Sequence, residues 1–145
     1  MLRQLALTEM GATAQVHRIA FDQAMPWLVG LHTPEEDRWF YRERIFSICQ
    51  VWGWFADDVL SGIIAFRDGW VEQLYVLPVA QGRGVGTELL DIAKGASGRL
   101  ELWTFQRNML ARRFYEARGF MLTEETDGAR NEEREPDARY LWTRQ

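Results

Sequence analysis

The stretch VLPVAQGRGVGTELL, running from Val76 to Leu90, decides how this chain is read. An apolar, strand-like run leads into it and an apolar, helix-like run leaves it. Between the two, Gly82, Gly84 and Gly86 fall close together with Arg83 among them. Glycine loses more backbone entropy on folding than any other residue, so a cluster at one strand-to-helix junction needs a reason. Two familiar phosphate loops are excluded. A Walker A loop requires Lys and then Ser or Thr after its last glycine, whereas Thr87-Glu88 follow here. A dinucleotide fingerprint requires glycine where Thr87 stands. What remains is Gln81-x-x-Gly84-x-Gly86 opening a helix. Such a turn removes side chains so that successive backbone N–H groups can face one anion. The helix N-terminus adds partial positive charge and Arg83 a full one. A tight turn with no ligand is the plainer alternative. The glycine cluster with an arginine at this junction favours an anion site, and a pyrophosphate fits it.

Working outward, SICQVWGWFADDVLSGIIAFRDGWVEQLYVLP is rich in β-branched and aromatic residues. Asp57-Asp58 and Asp68-Gly69 divide it into strands joined by tight turns. Upstream, LRQLAL reads as a first strand, with a helix expected over Thr13 to Ala24. A second helix starts at Thr33, with Pro34 at its first position and Glu36 closing a capping box. Downstream, Val85, Leu89, Ile92, Ala93 and Ala96 share one helix face, and RLELWTF is a further strand. Asn108 precedes a helix whose buried stripe is expected at Leu110, Phe114 and Ala117. GFMLTEET and ARYLWT form a last strand pair, joined by the polar loop DGARNEEREPD. The expectation is a mixed, mostly antiparallel α/β (α+β) architecture: a seven-stranded sheet flanked by about four helices. Trp70 to Phe105 should be its parallel strand-helix-strand crossover.

The 145 residues are expected to form a single domain, 1–145, with a substantial core. A formal net charge of −4 argues against a nucleic-acid partner. No apolar run is long enough to span a bilayer, and the first residues do not read as a signal peptide, so no membrane partner and a cytoplasmic location are expected. Cys49 is the sole cysteine, which excludes an internal disulfide and multi-cysteine metal sites. It reads as a small buried hydrophobe, and no metal is expected. His17 and His32 read as solvated or structural.

At this point the stretch resembles motif A of the GNAT superfamily of N-acetyltransferases, a strand followed by Q/R-x-x-G-x-G/A and a helix. LELWTFQRNMLARRFYEARGF resembles the second motif of the same superfamily: a strand, an asparagine, a helix bearing FYE, then GF. The two motifs span Trp70 to Phe120. The resemblance implies acetyl-CoA as acyl donor. It implies that Gln81, Gly82, Arg83, Gly84, Val85, Gly86 and Thr87 contact the pyrophosphate, chiefly through main-chain nitrogens, with a hydroxyl added by Thr87. Leu74, Tyr75 and Val76 would give main-chain contacts to the acetyl and pantetheine portions, their side chains packing in the core. Asn108 would bind the pantetheine arm, be a helix N-cap, or both. Tyr115 stands where the family keeps its general acid.

Acetyl transfer to an amine also needs a neutral nucleophile, and Glu72, on the face of Leu74, is the candidate base. Its alternative is a pairing with an arginine. In the acidic loop, Asp127, Asn131, Glu132 and Glu133 either form a solvated loop or draw in a cationic acceptor. Trp27, Trp39, Trp52 and Trp54 are core residues or acceptor-pocket walls. The reading that follows is direct transfer of acetyl from acetyl-CoA to a primary amine in a ternary complex, a small-molecule amine being favoured. Transfer to a protein N-terminus or lysine is the enzymatic alternative. A non-catalytic acyl-CoA sensor is the alternative of another class. A homodimer is compatible with the resemblance.

Overall fold

Strand alternation sorts the core into two. In the computed structural model, which describes residues 1–145, successive side chains of strand β3 (Val59–Arg67) enter different clusters. Ile63 and Ala65 join one, Ile64 and Phe66 the other. A strand covered on both faces needs an apolar run rather than an alternating one, and SGIIAF supplies it.

The other strands are β1 (Leu2–Gln4), β2 (Gln50–Ala56), β4 (Trp70–Val76), β5 (Arg99–Phe105), β6 (Met121–Thr126) and β7 (Asp137–Thr143). They form a seven-stranded sheet in the order β1-β2-β3-β4-β5-β7-β6. Every neighbouring pair is antiparallel except β4 and β5. The mixed, mostly antiparallel sheet is the one expected. Asp57 and Asp58 carry the positive φ values, 47° and 67°, that a two-residue hairpin turn demands.

One face of the sheet is covered by α1 (Met10–Ala24) and by the stretch from α2 (Pro34–Trp39) through a π-helical turn (Phe40–Ile45) into α3 (Phe46–Ile48). The capping box forms as read: Glu36 N–H donates to Thr33 Oγ1 at 3.1 Å, and Thr33 N–H donates to Glu36 Oε1 at 2.7 Å. The opposite face carries α4 (Val85–Ala96) and α5 (Met109–Ala117). Val85, Leu89 and Ala93 recur every four residues on α4 and are fully enclosed. No helix is long and apolar enough to cross a membrane.

Two expectations need correction. Helix α1 begins at Met10, ahead of Thr13, because a 3-10 turn (Leu7–Glu9) feeds directly into it. The stripe expected on α5 is also misplaced. Leu110 is 68% exposed and Ala117 is exposed, while Tyr115 is the buried residue. Apolar spacing marks the side of a helix that avoids water only where something packs against it. The Leu110 side of α5 borders an open cleft.

Candidate active site

The cleft follows from how β4 and β5 meet. They share one ladder pair, Trp70 with Glu101, and no other. Beyond it the strands part, leaving a cavity of about 550 Å³ lined by both strands, by the end of α1 and by the facing sides of α4 and α5. Since α1 and α4 lie on opposite faces, the cleft passes through the sheet. A bulge aids the divergence: Ala65 pairs with Gln73 and Phe66 with Val71, so Glu72 is the extra residue on β4.

At the α4 end of the cleft the glycine loop answers the question its sequence poses. Gly82 and Gly84 both have φ of 79°, a left-handed conformation that other residues resist. Gly86 serves a different need, because a Cβ there would stand 3.0 Å from the Phe114 ring of α5. The turn leaves the backbone N–H groups of Gly82, Arg83, Gly84, Val85, Gly86 and Thr87 without an acceptor in the protein; the first bond of α4 runs from Glu88 N–H to Gly84 O at 3.0 Å. Consecutive free donors at a helix N-terminus can hold an anion, and the loop has the shape of a cradle for one. Gln81 does not join it with its side chain, whose Nε2 donates to Val76 O at 3.0 Å. Gln81, Gly82, Gly84, Val85, Gly86 and Thr87 all line the cleft, whereas Arg83 is exposed and does not. The Thr87 hydroxyl accepts from Arg118 Nε at 2.8 Å, which leaves its own hydrogen to donate.

Tyr115 enters from the α5 side, 7% exposed. It packs edge-on against Phe114 and Phe120. Burial, with the Tyr75 phenol second, holds its hydroxyl well above the usual tyrosine range. It lines the cleft together with Leu74, Tyr75 and Val76 of β4. Leu74 and Val76 pack toward α4, and Tyr75 toward α1. The Tyr75 side chain therefore does more than ordinary packing: it forms a wall on the α1 face. Its ring lies 4.3 Å from the His17 ring. Phe21 and Phe105, with ring centroids 6.1 Å apart, continue that wall. His17 is structural and not solvated. Its Nδ1 is 2.6 Å from the Tyr41 hydroxyl, and burial pushes its pKa down to about 3, so the ring is neutral. Burial also pushes the Cys49 thiol up to about 11, consistent with a small packing residue.

Glu72 lines the cleft, but its Oε1 accepts from Arg67 Nε at 2.7 Å, so the arginine pairing is present. Asn108 also lines the cleft and caps α5, its Oδ1 accepting from Ala111 N–H at 3.2 Å.

None of Asp127, Asn131, Glu132 and Glu133 lines the cleft. Asp127 accepts from Ala129 N–H, and the Asn131 amide braces the loop against Glu135 and Asp137. The loop nonetheless borders the α1 side. The Trp27 indole N–H donates to Glu135 at 3.1 Å, Glu135 takes two bonds of 2.7 Å from Arg107, and His32 pairs with Glu132 at 3.2 Å. Together these tie the α1–α2 connection to the β6–β7 loop as a roof. Glu133, between two paired glutamates, has no ion-pair partner and is half-buried. Burial raises the Tyr75 phenol; Arg18 opposes this, and Glu133 adds a smaller raising effect.

Sequence reasoning missed this roof and also missed Arg118, the one cationic side chain lining the cleft. Contacts of the first kind join segments distant in the chain and leave no local trace. For Arg118 a signal existed, since it lies i+4 from Phe114 on α5 and stacks on it.

Sheet, cleft and cradle define an acyltransferase domain, and the chain belongs to the acetyltransferase (GNAT) family, whose description matches residues 14–120. Among curated proteins it is similar to peptidyl-lysine N-acetyltransferase YiaC of Escherichia coli K12, 30% identical over 84 residues. That match covers 57% of this chain and 58% of YiaC. Among solved structures it resembles apo YjaB of Escherichia coli, at TM-score 0.83 and 18% identity over 100% of this chain and 98% of the other. It also resembles the PaiA N-acetyltransferase of Thermoplasma acidophilum in complex with coenzyme A, at TM-score 0.73 and 22% identity over 99% and 98%.

Proposed function

We propose that the protein transfers acetyl from acetyl-CoA to a primary amine within a ternary complex. The observation that carries this reading is the run of acceptor-free N–H groups from Gly82 to Thr87 at the mouth of a cleft that crosses the sheet. The cradle holds the pyrophosphate of the donor, so that the pantetheine arm runs between β4 and β5 past Leu74, Val76 and Asn108. The thioester then lies beside Tyr115, and the amine approaches from the α1 side, past Tyr75 and Phe21. Donor and acceptor meet inside the sheet with no covalent enzyme intermediate.

Tyr115 donates a hydrogen bond to the departing sulfur. Full proton transfer from a phenol of pKa ~10 to a thiolate whose thiol has pKa ~8.5 is uphill in water by roughly 2 kcal/mol. The walls that raise the phenol also desolvate the thiolate, raising its own proton affinity, so the proton can follow the bond. The bulge breaks the alternation of β4, so Glu72 leaves the Leu74 face expected for it; one of its carboxylate oxygens is engaged by Arg67 and the other has no partner, able to accept from the incoming ammonium. Glu133 supplies negative potential at the acceptor entrance.

A roofed, aromatic-walled entrance suits a slender cationic amine, and a small linear molecule fits that description. A lysine side chain fits it as well, and the similarity to YiaC favours that second reading. Thiol release from acetyl-CoA, measured against linear polyamines, amino acids, aminoglycosides and lysine peptides, tests the proposal. Turnover with a slender amine supports it. Thermal stabilisation by acetyl-CoA with no thiol release from any amine would point instead to an acyl-CoA sensor.

A further inference from the structure

Arg118 stands at the end of α5 with an unusual set of partners. Its Nε donates to Thr87 Oγ1 at 2.8 Å, its Nη1 donates to Phe114 O at 2.9 Å, and its guanidinium carbon lies 3.8 Å from the Phe114 ring centroid. None of these partners is an anion. Two other arginines of this region are neutralised, Arg107 by Glu135 and Arg112 by Glu125, and Arg113, also without a counter-charge, is exposed to water instead of lining the cleft. A guanidinium has five N–H donors, so most of its capacity is unspent. It is half-buried, in a cleft where it is the one cationic side chain. Through Thr87 it touches the first turn of α4, whose N–H groups also lack acceptors. A charge without a counter-charge next to donors without acceptors calls for an anion that the protein itself does not supply.

We propose that Arg118 is a phosphate-binding residue of the donor site, completing the cradle that the glycine loop begins; the inference rests on the acyl-CoA reading above. The stack on Phe114 and the bond to Thr87 hold the planar fork in place, so little side-chain entropy is lost on binding. Gly86 is part of the same device, since its missing Cβ lets Phe114 approach the loop. The competing role is a staple between α4 and α5 that never touches ligand.

Calorimetry on Arg118→Gln and Arg118→Lys separates the two roles, using coenzyme A, dephospho-coenzyme A and S-acetylpantetheine as probes. A lost charge-assisted pair should weaken coenzyme A binding by about ten- to hundredfold in Arg118→Gln, with Arg118→Lys between it and the parent. S-acetylpantetheine, which carries no phosphate, should bind parent and variant alike. If the loss persists with dephospho-coenzyme A, Arg118 reads the pyrophosphate; if it vanishes, Arg118 reads the ribose phosphate. Coenzyme A affinity in Arg118→Gln within about twofold of the parent overturns the inference, as does equal weakening of all three probes, which is the staple's signature. If Arg118→Gln does not fold, Arg118→Lys decides: unchanged coenzyme A affinity there overturns it. A parent protein that binds no coenzyme A at all refutes the donor assignment instead, a separate failure.

Discussion

Replacing Gly84 tests the cradle most directly. Its φ of 79° and ψ of 6° are left-handed, and nothing lies within 4 Å of where a Cβ would stand. Substitution there meets no clash, so its effect is conformational. An L-residue forced into this region costs about 1–2 kcal/mol, less for asparagine, whose side chain tolerates it. With an unfolding entropy of about 2 cal/mol/K per residue, a chain of this length melts roughly 3–7 °C lower for that cost. Gly84→Ala should show this drop and Gly84→Asn a smaller one. An alanine that escapes the strain by leaving the left-handed region re-aims the N–H groups around it. Losing one charge-assisted hydrogen bond then weakens coenzyme A by about tenfold or more. Thermal denaturation without ligand gives the first quantity and calorimetry the second. Melting temperatures equal to the parent in both variants would refute the conformational argument. Affinity unchanged in both would refute the cradle.

Other consequences are as direct. Tyr115→Phe should lower kcat by about a hundredfold while leaving acetyl-CoA affinity within a few-fold, read by steady-state kinetics and calorimetry. Since burial raises its phenol, Tyr115 stays protonated through neutral and mildly alkaline pH, so any alkaline fall in the parent rate below pH 10 should persist in Tyr115→Phe. Glu133→Gln should raise acceptor KM more than Glu132→Gln does, because Glu132 is already paired with His32, and neither should change acetyl-CoA KM. Glu135→Gln should lower the melting temperature at pH 7. The Arg107 bonds hold the Glu135 carboxyl below its ordinary range. The stability it contributes is therefore present above the unfolded carboxylate pKa and lost as pH falls through the lower folded value. Melting curves of parent and variant should converge in acid.

Much of this architecture was legible because it is locally determined. Turn chemistry at Asp57-Asp58 and the capping box at Thr33 and Glu36 are decided within a few residues, and each formed where expected. The apolar run of β3 was readable as a strand, whereas its cover on both faces emerges only from the packing of the helices. The glycine loop was readable as a tight turn opening a helix, since its demands on backbone shape fall on adjacent positions. Legibility failed where distant segments meet. The Leu110 stripe on α5 misled because apolar spacing does not distinguish a packed face from one lining a cleft. The Trp27–Glu135–Arg107 roof joins residues 108 positions apart. Tyr75 could be placed on β4, but whether its ring would pack or line a wall depended on His17 and Phe21 from α1. Glu72 was readable as base or as ion-pair partner, and the pair with Arg67 is formed.

The single ladder pair of Trp70 with Glu101 divides the sheet into two leaves. On one side lie β1 to β4, on the other β5, β7 and β6, and this rung is the pin between the two leaves. Arg139 of β7 reinforces it, bonding Glu101 at 2.6 Å while its guanidinium covers the Trp70 ring at 5.1 Å. A molecule wedged between the leaves acts on a long lever arm, far from the pin. If the leaves move on that rung, a substitution at Arg139 should alter turnover without touching any reacting atom.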